Sequence, residues 1–528
     1  MAIFVPQICV GLDAGEPEAI SKAARILKIN FCDVKTASIC KKSVDARRKN
    51  NIRLVYTVCF EFKDPGKERA ILKNNSRVVL RAFEKSLDVK FGNEKLEGRP
   101  VVVGFGPAGI FASYILAKNG YRPVVIEQGD KVDARVKKVE KFWSEGVLDE
   151  RTNVQFGEGG AGTFSDGKLI TRIGDPLCKQ VIDLFLKHGA PIDIKVRARP
   201  HIGTDLLRKI IKSIRLEIIS LGGKIRFNEK LERINFCKDR ICSIATEKDE
   251  IKTNALILAI GHSARDTFEM LAQSGVKIQP KPFSVGVRIE HLQKDVEKAL
   301  YGDFVGHFAL PRAEYAYSHR IGGRGVYTFC MCPGGVVVPA ASEEFGVVTN
   351  GMSEYARDGE NANSALVVGV LEKDFESGPL GGMFFQREIE KLAFEAGGGK
   401  YFAPITNVGS YLSGAIYKEG KIKPTYHCGT KICDINKLFP TFVNNMLKVG
   451  IRQFDKKLRG FAAKDAVITA PETRTSSPVR ILRDERFVSS VDGLYPCGEG
   501  AGYAGGIMSA AVDGIKVAAS VIQRFCPD

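Results

Sequence analysis

The chain has 528 residues, of which 44% are hydrophobic and 26% charged, and a net charge of +17. That balance excludes a disordered or fibrous chain, and the length calls for two or three domains, because one apolar core rarely grows so large. The positive charge suits an anionic partner (a dinucleotide, a nucleic acid or an anionic membrane surface), but it equally suits a solvated basic surface, since net charge speaks to association and not to fold.

The first twenty residues have no basic start, and Gln7, Gly11 and Asp13 interrupt their apolar stretch, so no secretory leader is expected. The longest uncharged run, Gly325–Ser342, only just reaches the ~18 residues of a membrane span. Pro333, Gly334, Gly335 and Pro339 break it as a helix. The expectation is a cytoplasmic protein without membrane contact, its thirteen cysteines mostly reduced.

Residues 1–97 read as a small basic α+β domain. Its signals are a helix over Glu18–Lys28, strands over Asp33–Lys41 and Ile52–Phe62, and a helix over Glu68–Lys85. The basic run Lys41, Lys42, Arg47, Arg48 and Lys49 suits nucleic acid, and it also suits a solvated turn between strands. From Arg99 the pattern becomes α/β. A strand over Pro100–Val103 leads through a Gly-rich turn to a helix over Ala108–Lys118 and a strand over Pro123–Glu127. A helix over Thr204–Leu221 follows, then strands over Lys224–Phe227, Ser243–Ala245 and Ala255–Ile260. Residues 270–430 are richer in Gly, aromatics and short β-like runs, and read as an inserted β-rich α+β substrate domain. Residues 431–528 return to helix, strand and Gly-rich turn. They are expected to complete the domain begun at 98–269.

Three glycine-rich stretches carry the chemistry. In Val101-Val102-Val103-Gly104-Phe105-Gly106-Pro107-Ala108-Gly109, the glycines fit the spacing G-x-G-x-x-G directly after a strand and at a helix start. Gly104 permits the tight turn, Gly106 lets backbone approach a pyrophosphate, and Gly109 lets helix and strand pack closely. Pro107 and Ala108 open the helix whose free N–H groups and dipole favour a diphosphate. Glu127, 23 residues after Gly104, ends the next strand and is placed to accept from ribose hydroxyls. An acid there disfavours a 2′-phosphate. Gln128 and Arg135, just beyond it, join the expected cofactor-binding set. This is the signature of a Rossmann-like dinucleotide fold.

The second stretch runs from Asn153 to Lys168, with five glycines between Gly157 and Gly167. Such a run builds neither a good helix nor a good strand, so backbone is expected to approach something closely. A planar flavin ring is a natural candidate for Gly159, Gly160, Ala161, Gly162 and Thr163, and a flexible surface loop is the alternative. The third stretch, Asp492 to Ile507, takes a short strand through a Gly-rich turn containing Gly498, Glu499, Gly505, Gly506 and Ile507 into a small-residue helix over Met508–Ile522. A Gly-rich hinge before an ordinary core helix is the alternative here.

With these motifs the chain resembles the family of uncharacterised FAD-dependent dehydrogenases, or NAD(P)/FAD-dependent oxidoreductases, that have a glutathione-reductase-like FAD domain. The resemblance rests on FGEGGAGTFSDGK (156–168), TFCMCPGG (328–335), ETRTSSPVRI (472–481) and GEGAGYAGGIMSAA (498–511). It implies FAD as cofactor, Glu499 as the acid that holds the ribityl chain, where Asp is more usual, and a helix N-terminus facing the flavin pyrimidine. It also implies that Gly261, in Ala259-Ile260-Gly261-His262, closes the FAD domain. The substrate is not implied. The second nucleotide motif is not found, nor is a Cys-x4-Cys pair placed beside the flavin motifs as disulfide reductases have it. NADH or NADPH would therefore act as a transient electron donor, bound briefly or in the inserted domain.

Candidates for chemistry lie on the substrate side. Cys330 and Cys332 form a Cys-x-Cys pair, which suits flavin-linked dithiol chemistry or plain core packing. Arg474 and Arg480, with Thr475, Ser476 and Ser477 between them, suit a carboxylate or phosphate, or salt bridges within the fold. Tyr503 suits an acid, a base or a stacking platform, and His319 with Arg320 is a further candidate pair. Tyr426-His427-Cys428 and Cys433 offer metal-ligand types in a weak pattern, so no metal is expected. The expected activity is FAD-dependent oxidation or reduction of a small substrate, with anions among the candidates. An RNA-modifying flavoenzyme that uses the basic N-terminal domain is the alternative, and a non-catalytic flavin-binding redox sensor is a third. The oligomeric state is left open.

Overall fold

The computed structural model describes residues 2–75, 78–81, 89–171 and 173–527. The N-terminal domain is a four-stranded antiparallel sheet in the order Val34–Asp45, Arg53–Phe62, Ala2–Val10, Val79–Arg81. Buried residues alternate with less buried ones along Arg53–Phe62, Cys59 excepted, as a sheet covered on one face requires. The helix Glu16–Leu27 covers that face with Ala19, Ala23, Ala24 and Leu27, a single stripe at helical spacing.

Two expectations change here. The strand Ala2–Val10 reads poorly in sequence because Pro6 and Gln7 interrupt it. The sheet absorbs them as a register shift between Val5 and Ile8, with Gln7 at φ +61°. The helix expected over Glu68–Lys85 is Pro65–Asn74 only, started by the Asp64 side chain accepting from the Gly66 N–H. Val79–Arg81 is a sheet edge, and residues 82–88 lie outside the described residues.

The second unit is a five-stranded parallel sheet in the order Leu494–Pro496, Leu256–Leu258, Val101–Val103, Val124–Ile126, Lys224–Arg226. Its three central strands are wholly apolar because both faces are covered. Val102, Val125 and Ile257 pack with the helices Pro107–Lys118, Thr204–Ser220 and Ile507–Arg524. Val101, Val103, Val124 and Ile126 pack with the antiparallel meander Leu231–Cys237, Arg240–Thr246, Glu250–Lys252. The third unit is a seven-stranded sheet in the order Ser318–Ile321, Arg324–Cys332, Asn361–Val370, Phe283–Leu292, Val467–Glu472, Ala403–Asn407, Thr430–Ile432. It is antiparallel except for the last pair.

The seven-stranded sheet moves an expected boundary. The chain was to rejoin the parallel-sheet unit at 431. Yet Val467–Glu472 pairs with Phe283–Leu292 inside the larger sheet, and the helix Thr441–Asp455 packs Leu447, Ile451 and Phe454 into the same core. Crossover to the parallel sheet follows Glu472. The boundary at 97 moves as well, because the stretch before it packs against the C-terminus. Gly92 N–H donates to the Ile522 carbonyl at 2.8 Å, Cys526 N–H donates to the Glu94 carbonyl at 2.9 Å, and Leu96 is buried. A Cβ at Gly92 would lie 2.1 Å from the Arg524 carbonyl carbon, so only glycine fits.

The N-terminal sheet docks on the parallel-sheet unit through backbone. Lys42 N–H donates to the Val196 carbonyl at 2.7 Å, and Ala198 N–H donates to the Lys42 carbonyl at 2.8 Å. Among the described residues, no helix is long and apolar enough to cross a membrane.

These contacts separate two truncations. A chain starting at Val89 keeps the strap over the C-terminal helix. One starting at Gly98 loses it, and burial of a side chain like Leu96 contributes about 2–5 kcal/mol. Thermal unfolding should show the Gly98 start melting below the Val89 start. Equal melting temperatures would assign residues 89–97 to the N-terminal domain instead.

Candidate functional site

Parallel strands all end on one edge of their sheet, and there the fold gathers the sequence motifs. Gly104 follows the first strand, Glu127 the second, Gly261 the strand Leu256–Leu258, and Glu499 the strand Leu494–Pro496. Ligands bind outside such carboxyl ends, where the strand order reverses. A cavity of about 500 Å³ opens at that place, and Gly104, Gly106, Pro107, Ala108, Glu127, Gly160, Ala161, Gly162, Gly261, Glu499, Gly505, Gly506 and Ile507 all line it.

The first turn is as tight as its glycines imply. Gly104 sits at φ +94°, and a Cβ there would lie 2.3 Å from the Ala259 carbonyl oxygen. A Cβ at Gly109 would lie 1.9 Å from the Gly104 oxygen, so Gly109 serves helix packing and does not line the cavity. Gly106 precedes the helix Pro107–Lys118. Within 4 Å of a Cβ there lies only the backbone of Gly160, itself at φ +62°. The two glycine-rich stretches therefore touch backbone to backbone at the mouth of a helix.

Glu127 and Arg135 hold these stretches together. The buried Glu127 carboxylate accepts from the N–H groups of Phe105 (2.8 Å), Gly129 (2.9 Å) and Gly157 (3.0 Å). With three of about four acceptor sites filled, it keeps capacity for one further donor. Arg135, expected to touch cofactor, is instead fully buried. Its guanidinium donates to the carbonyls of Asn153, Val154, Gly157 and Glu158 at 2.7–3.2 Å. Burial pulls its pKa down to about 9, with Glu127 and Glu158 opposing, so it stays charged at neutral pH.

Other expected residues also serve the frame. Thr163 Oγ1 donates to the Glu158 carbonyl at 3.2 Å, a Cβ at Gly159 would strike Thr163 at 2.1 Å, and a Cβ at Gly498 would meet Ala108 at 2.6 Å. Gln128 lines a smaller adjoining cavity of about 40 Å³ that shares Gly104, Glu127 and Ile260 with the main one.

At the far end of the cavity the 18-residue helix Ile507–Arg524 presents its N-terminus, and a Cβ added to Gly505 or Gly506 would meet no atom within 4 Å. The turn before this helix is fixed by Asp513, which accepts from the Gly498 N–H at 2.7 Å and from both ends of the Arg483 guanidinium. The Glu499 carboxylate faces the cavity. Burial pushes its pKa up to about 7, with Lys281 partly opposing.

The opposite wall belongs to the seven-stranded sheet: Thr328, Phe329, Cys330, Met331, Glu472 and Arg474. Three buried charge clusters fix it. Arg288 clamps Glu472 with bonds of 2.8 and 2.9 Å and donates to the Cys330 carbonyl at 2.9 Å. Arg474 and Arg265 both grip Glu390, which Thr473 also joins at 2.6 Å. Asp166 receives Lys168 at 2.6 Å and Arg357 Nε at 2.9 Å.

Sequence reasoning proposed other residues that do not reach the cavity. Tyr503 lies with its ring 3.8 Å from the Arg483 guanidinium carbon, on the outside of the turn, and Arg480 lies 5.2 Å over the other part of that stack. Tyr503 is engaged by this cation–π stack and Arg480 also donates to the Gly502 carbonyl at 3.5 Å, and neither residue lines the cavity. His319 sits on the edge strand Ser318–Ile321, with Arg320 exposed beside it, bonded to the Gly323 carbonyl. Cys332 is fully buried behind Cys330. His262 was missed. It lines the cavity with Nδ1 2.8 Å from Ser263 Oγ, and burial, then Arg474 and Arg265, bring its pKa down to about 3, so the imidazole is neutral. Its position after the strand Leu256–Leu258 was the available signal.

A second chamber, of about 710 Å³, lies between the N-terminal domain and the rest of the molecule. It shares Arg199 and Glu314 with the first, and these two residues pair at 3.2 Å. Lys42 of the basic run lines it. Among the described residues, no group of three or more His, Cys, Asp or Glu is placed to hold a metal ion.

Comparison with known proteins gives the following likenesses. Residues 282–475 match the family model described as FAD-dependent protein, C-terminal domain-like, and residues 5–61 match a domain of unknown function. An uncharacterized protein of Clostridium beijerinckii is 48% identical over 532 residues, spanning 99% of each chain. Among solved structures, CtdE in complex with FAD is 11% identical over 80% of this chain and 84% of its own, at a TM-score of 0.31. The L-proline dehydrogenase of P. horikoshii is 15% identical over 81% and 94%, at 0.32. The halogenase PltM in complex with phloroglucinol and FAD is 11% identical over 80% and 68%, at 0.36. At these TM-scores the solved structures have no bearing on the chemistry below.

The raised pKa of Glu499 has a testable sign. A carboxyl with a folded-state pKa above its unfolded value favours folding while it is protonated, so stability declines as pH rises from about 4.5 through about 7. Glu499→Gln cannot ionise and escapes this decline. The flavin-free variant should match the parent in melting temperature near pH 4.5 and exceed it increasingly up to pH 8. A constant difference across that range would place Glu499 in contact with water.

Proposed function

We propose that this chain, which belongs to the same family of FAD-dependent proteins as its Clostridium beijerinckii relative, is a flavin oxidoreductase whose substrate meets the cofactor in the cavity between the parallel sheet and the seven-stranded sheet. Its cofactor is FAD. The observation that supports this reading most is that one cavity joins all three glycine-rich stretches on one side and ionisable groups of the larger sheet on the other.

The residues present fit FAD. Gly106 and the N-terminus of Pro107–Lys118 would take the diphosphate, Glu127 would use its remaining acceptor capacity on the ribose, and Gln128 would border the adenosine end. Glu499 would receive the ribityl hydroxyls. The open glycines 505 and 506 would admit the ring edge at the N-terminus of Ile507–Arg524, in the manner of a glutathione-reductase-type domain. When bound, FAD supplies transfer of a hydride or of single electrons.

The protein's own groups bind and orient. Arg474 cannot swing freely toward a substrate, because Glu390 and Ser342 hold it. Its guanidinium stands at the cavity wall with Arg265 behind it, the two arginines balanced by Glu390 and Glu343 away from the cavity's lining. Neutral His262 beside it offers a hydrogen-bonding group that does not add to this charge. Of the groups in this cluster the Arg474 guanidinium lines the cavity and its two carboxylate partners do not, so a small substrate with an anionic group suits this wall. The Arg199–Glu314 pair marks where the second chamber meets the first, and offers such a substrate a way in past the N-terminal domain.

Gly106→Val tests the cofactor side. Since a Cβ at Gly106 meets only Gly160 at 3.6 Å, the fold has room, and the branched methyls occupy phosphate space. The expected result is normal folding by circular dichroism with FAD occupancy down at least tenfold. Wild-type occupancy in a folded variant would move the diphosphate elsewhere.

A further inference from the structure

Cys330 and Cys332 have no part in the function as argued so far, yet their geometry is unusual. In a regular strand, residues two apart lie about 6.6 Å apart along the chain, at the upper end of the Cα separation a disulfide accepts. Here the strand Arg324–Cys332 is not regular. Its pairing with Asn361–Val370 shifts register between Phe329 and Cys332, and Cys330 occupies the left-handed region at φ +44°. A β-bulge of this kind shortens the chain locally and re-aims side chains. Cysteine seldom adopts positive φ, so the bulge holds Cys330 against its own preference. The result is that the chain folds back on itself here, and the Cys332 thiol donates to the Cys330 carbonyl at 3.4 Å.

Two cations reach this segment, each also paired to a carboxylate, Lys168 to Asp166 and Arg288 to Glu472. Lys168 donates to Asp166 and to the carbonyl of Met331, between the two cysteines, while Arg288 donates to the carbonyl of Cys330. The thiols differ in consequence. The hydrogen bond from Cys332, with Lys168 and Arg288 and against burial, brings Cys330 down to about 5, whereas Cys332 is pushed well up. Cys330 lines the cavity while Cys332 is fully buried behind it, so the member of the pair favoured as thiolate is the one on the cavity side. An accessible low-pKa thiolate beside a second thiol within reach is the arrangement that thiol–disulfide chemistry requires. Core packing alone does not ask for the positive φ.

We infer that Cys330 and Cys332 are a redox-active pair that exchanges two electrons with the flavin. In the oxidising direction one S–S bond forms between them, the thiolate and the thiol together give up two electrons and one proton, and FAD takes these up to become its anionic reduced form. The reverse restores the dithiol and oxidised FAD. Lys168 and Arg288 favour the thiolate at the sulfur that faces the cavity. The pair would store an electron pair or pass it to a dithiol or disulfide substrate entering the same space. This inference rests on the flavin assignment above, and its test is read on the same samples as FAD occupancy.

The test is an anaerobic dithionite titration of the air-oxidised, flavin-loaded protein, followed by peptide mapping of alkylated cysteines. The expected uptake is about four electrons per flavin for the parent and about two for Cys330→Ser and for Cys332→Ser, in each case at full FAD occupancy. In the parent, the peptide carrying both cysteines should lack alkylation before reduction and show two alkyl groups after it. A parent that takes up two electrons per flavin, or an uptake unchanged in the serine variants, overturns the pair. If one variant fails to fold, the parent's electron count and its alkylation map still decide. Loss of FAD from the parent would contradict the proposed function instead, so the two failures are distinguishable.

Discussion

The buried carboxylate of Glu127 is the constraint on which the site depends. It accepts hydrogen bonds from three backbone N–H groups on three separate segments: the first glycine turn, the end of its own strand, and the second glycine loop. A buried ion is costly unless such donors surround it. The arrangement therefore ties the positions of all three segments to one another. Arg135 completes it from the other side by collecting four carbonyls of the loop that Glu127 cannot reach. Two opposite charges, neither of them exposed, thus shape a glycine-rich loop that has little propensity of its own to hold a form.

The two walls of the cavity come from different sheets, and buried ion clusters hold them in register. Arg265, on the helix after the parallel-sheet strand Leu256–Leu258, meets Glu390 on the helix Gly381–Ala396 of the larger sheet's unit. Asp166, in the glycine loop, meets Arg357 and Ser353 in the same way. Removing one member of such a cluster leaves an uncompensated buried charge, at a cost of about 3–5 kcal/mol. The electrostatics that fix Arg474 and Lys168 in place are therefore also what keeps the cofactor side and the substrate side facing each other.

The parallel-sheet wall of the cavity was legible in the sequence because it is local. A short apolar strand, a glycine turn and a helix start occupy nine consecutive residues from Val101 to Gly109, and Glu127 follows at the next strand end. Period and spacing suffice for such a motif. The substrate half was not legible, because its contacts join residues far apart in the chain. Arg474 meets Glu390 across 84 positions, and Arg288 meets Glu472 across 184. Arg135 and Thr163 lay in the right stretches but turned out to serve the loop itself. Tyr503 was nominated for its place after Glu499, and only the direction of the turn shows that it faces Arg483. The strand Ala2–Val10 was hidden by a proline and a bulge that fall beyond its pairing with the short strand Val79–Arg81, which reaches only Ala2–Phe4, and the reach of the larger sheet to Glu472 depended on pairing that no local pattern reveals.

Convergence of three sequence segments on one FAD molecule is the central claim, and hydrogen–deuterium exchange of the flavin-free protein, with and without added FAD, tests it in one measurement. FAD is expected to slow exchange together in peptides covering 104–110, 157–165 and 498–508, while the N-terminal sheet is unaffected. Protection limited to one of these segments, or centred on the chamber beside the N-terminal domain, would contradict it.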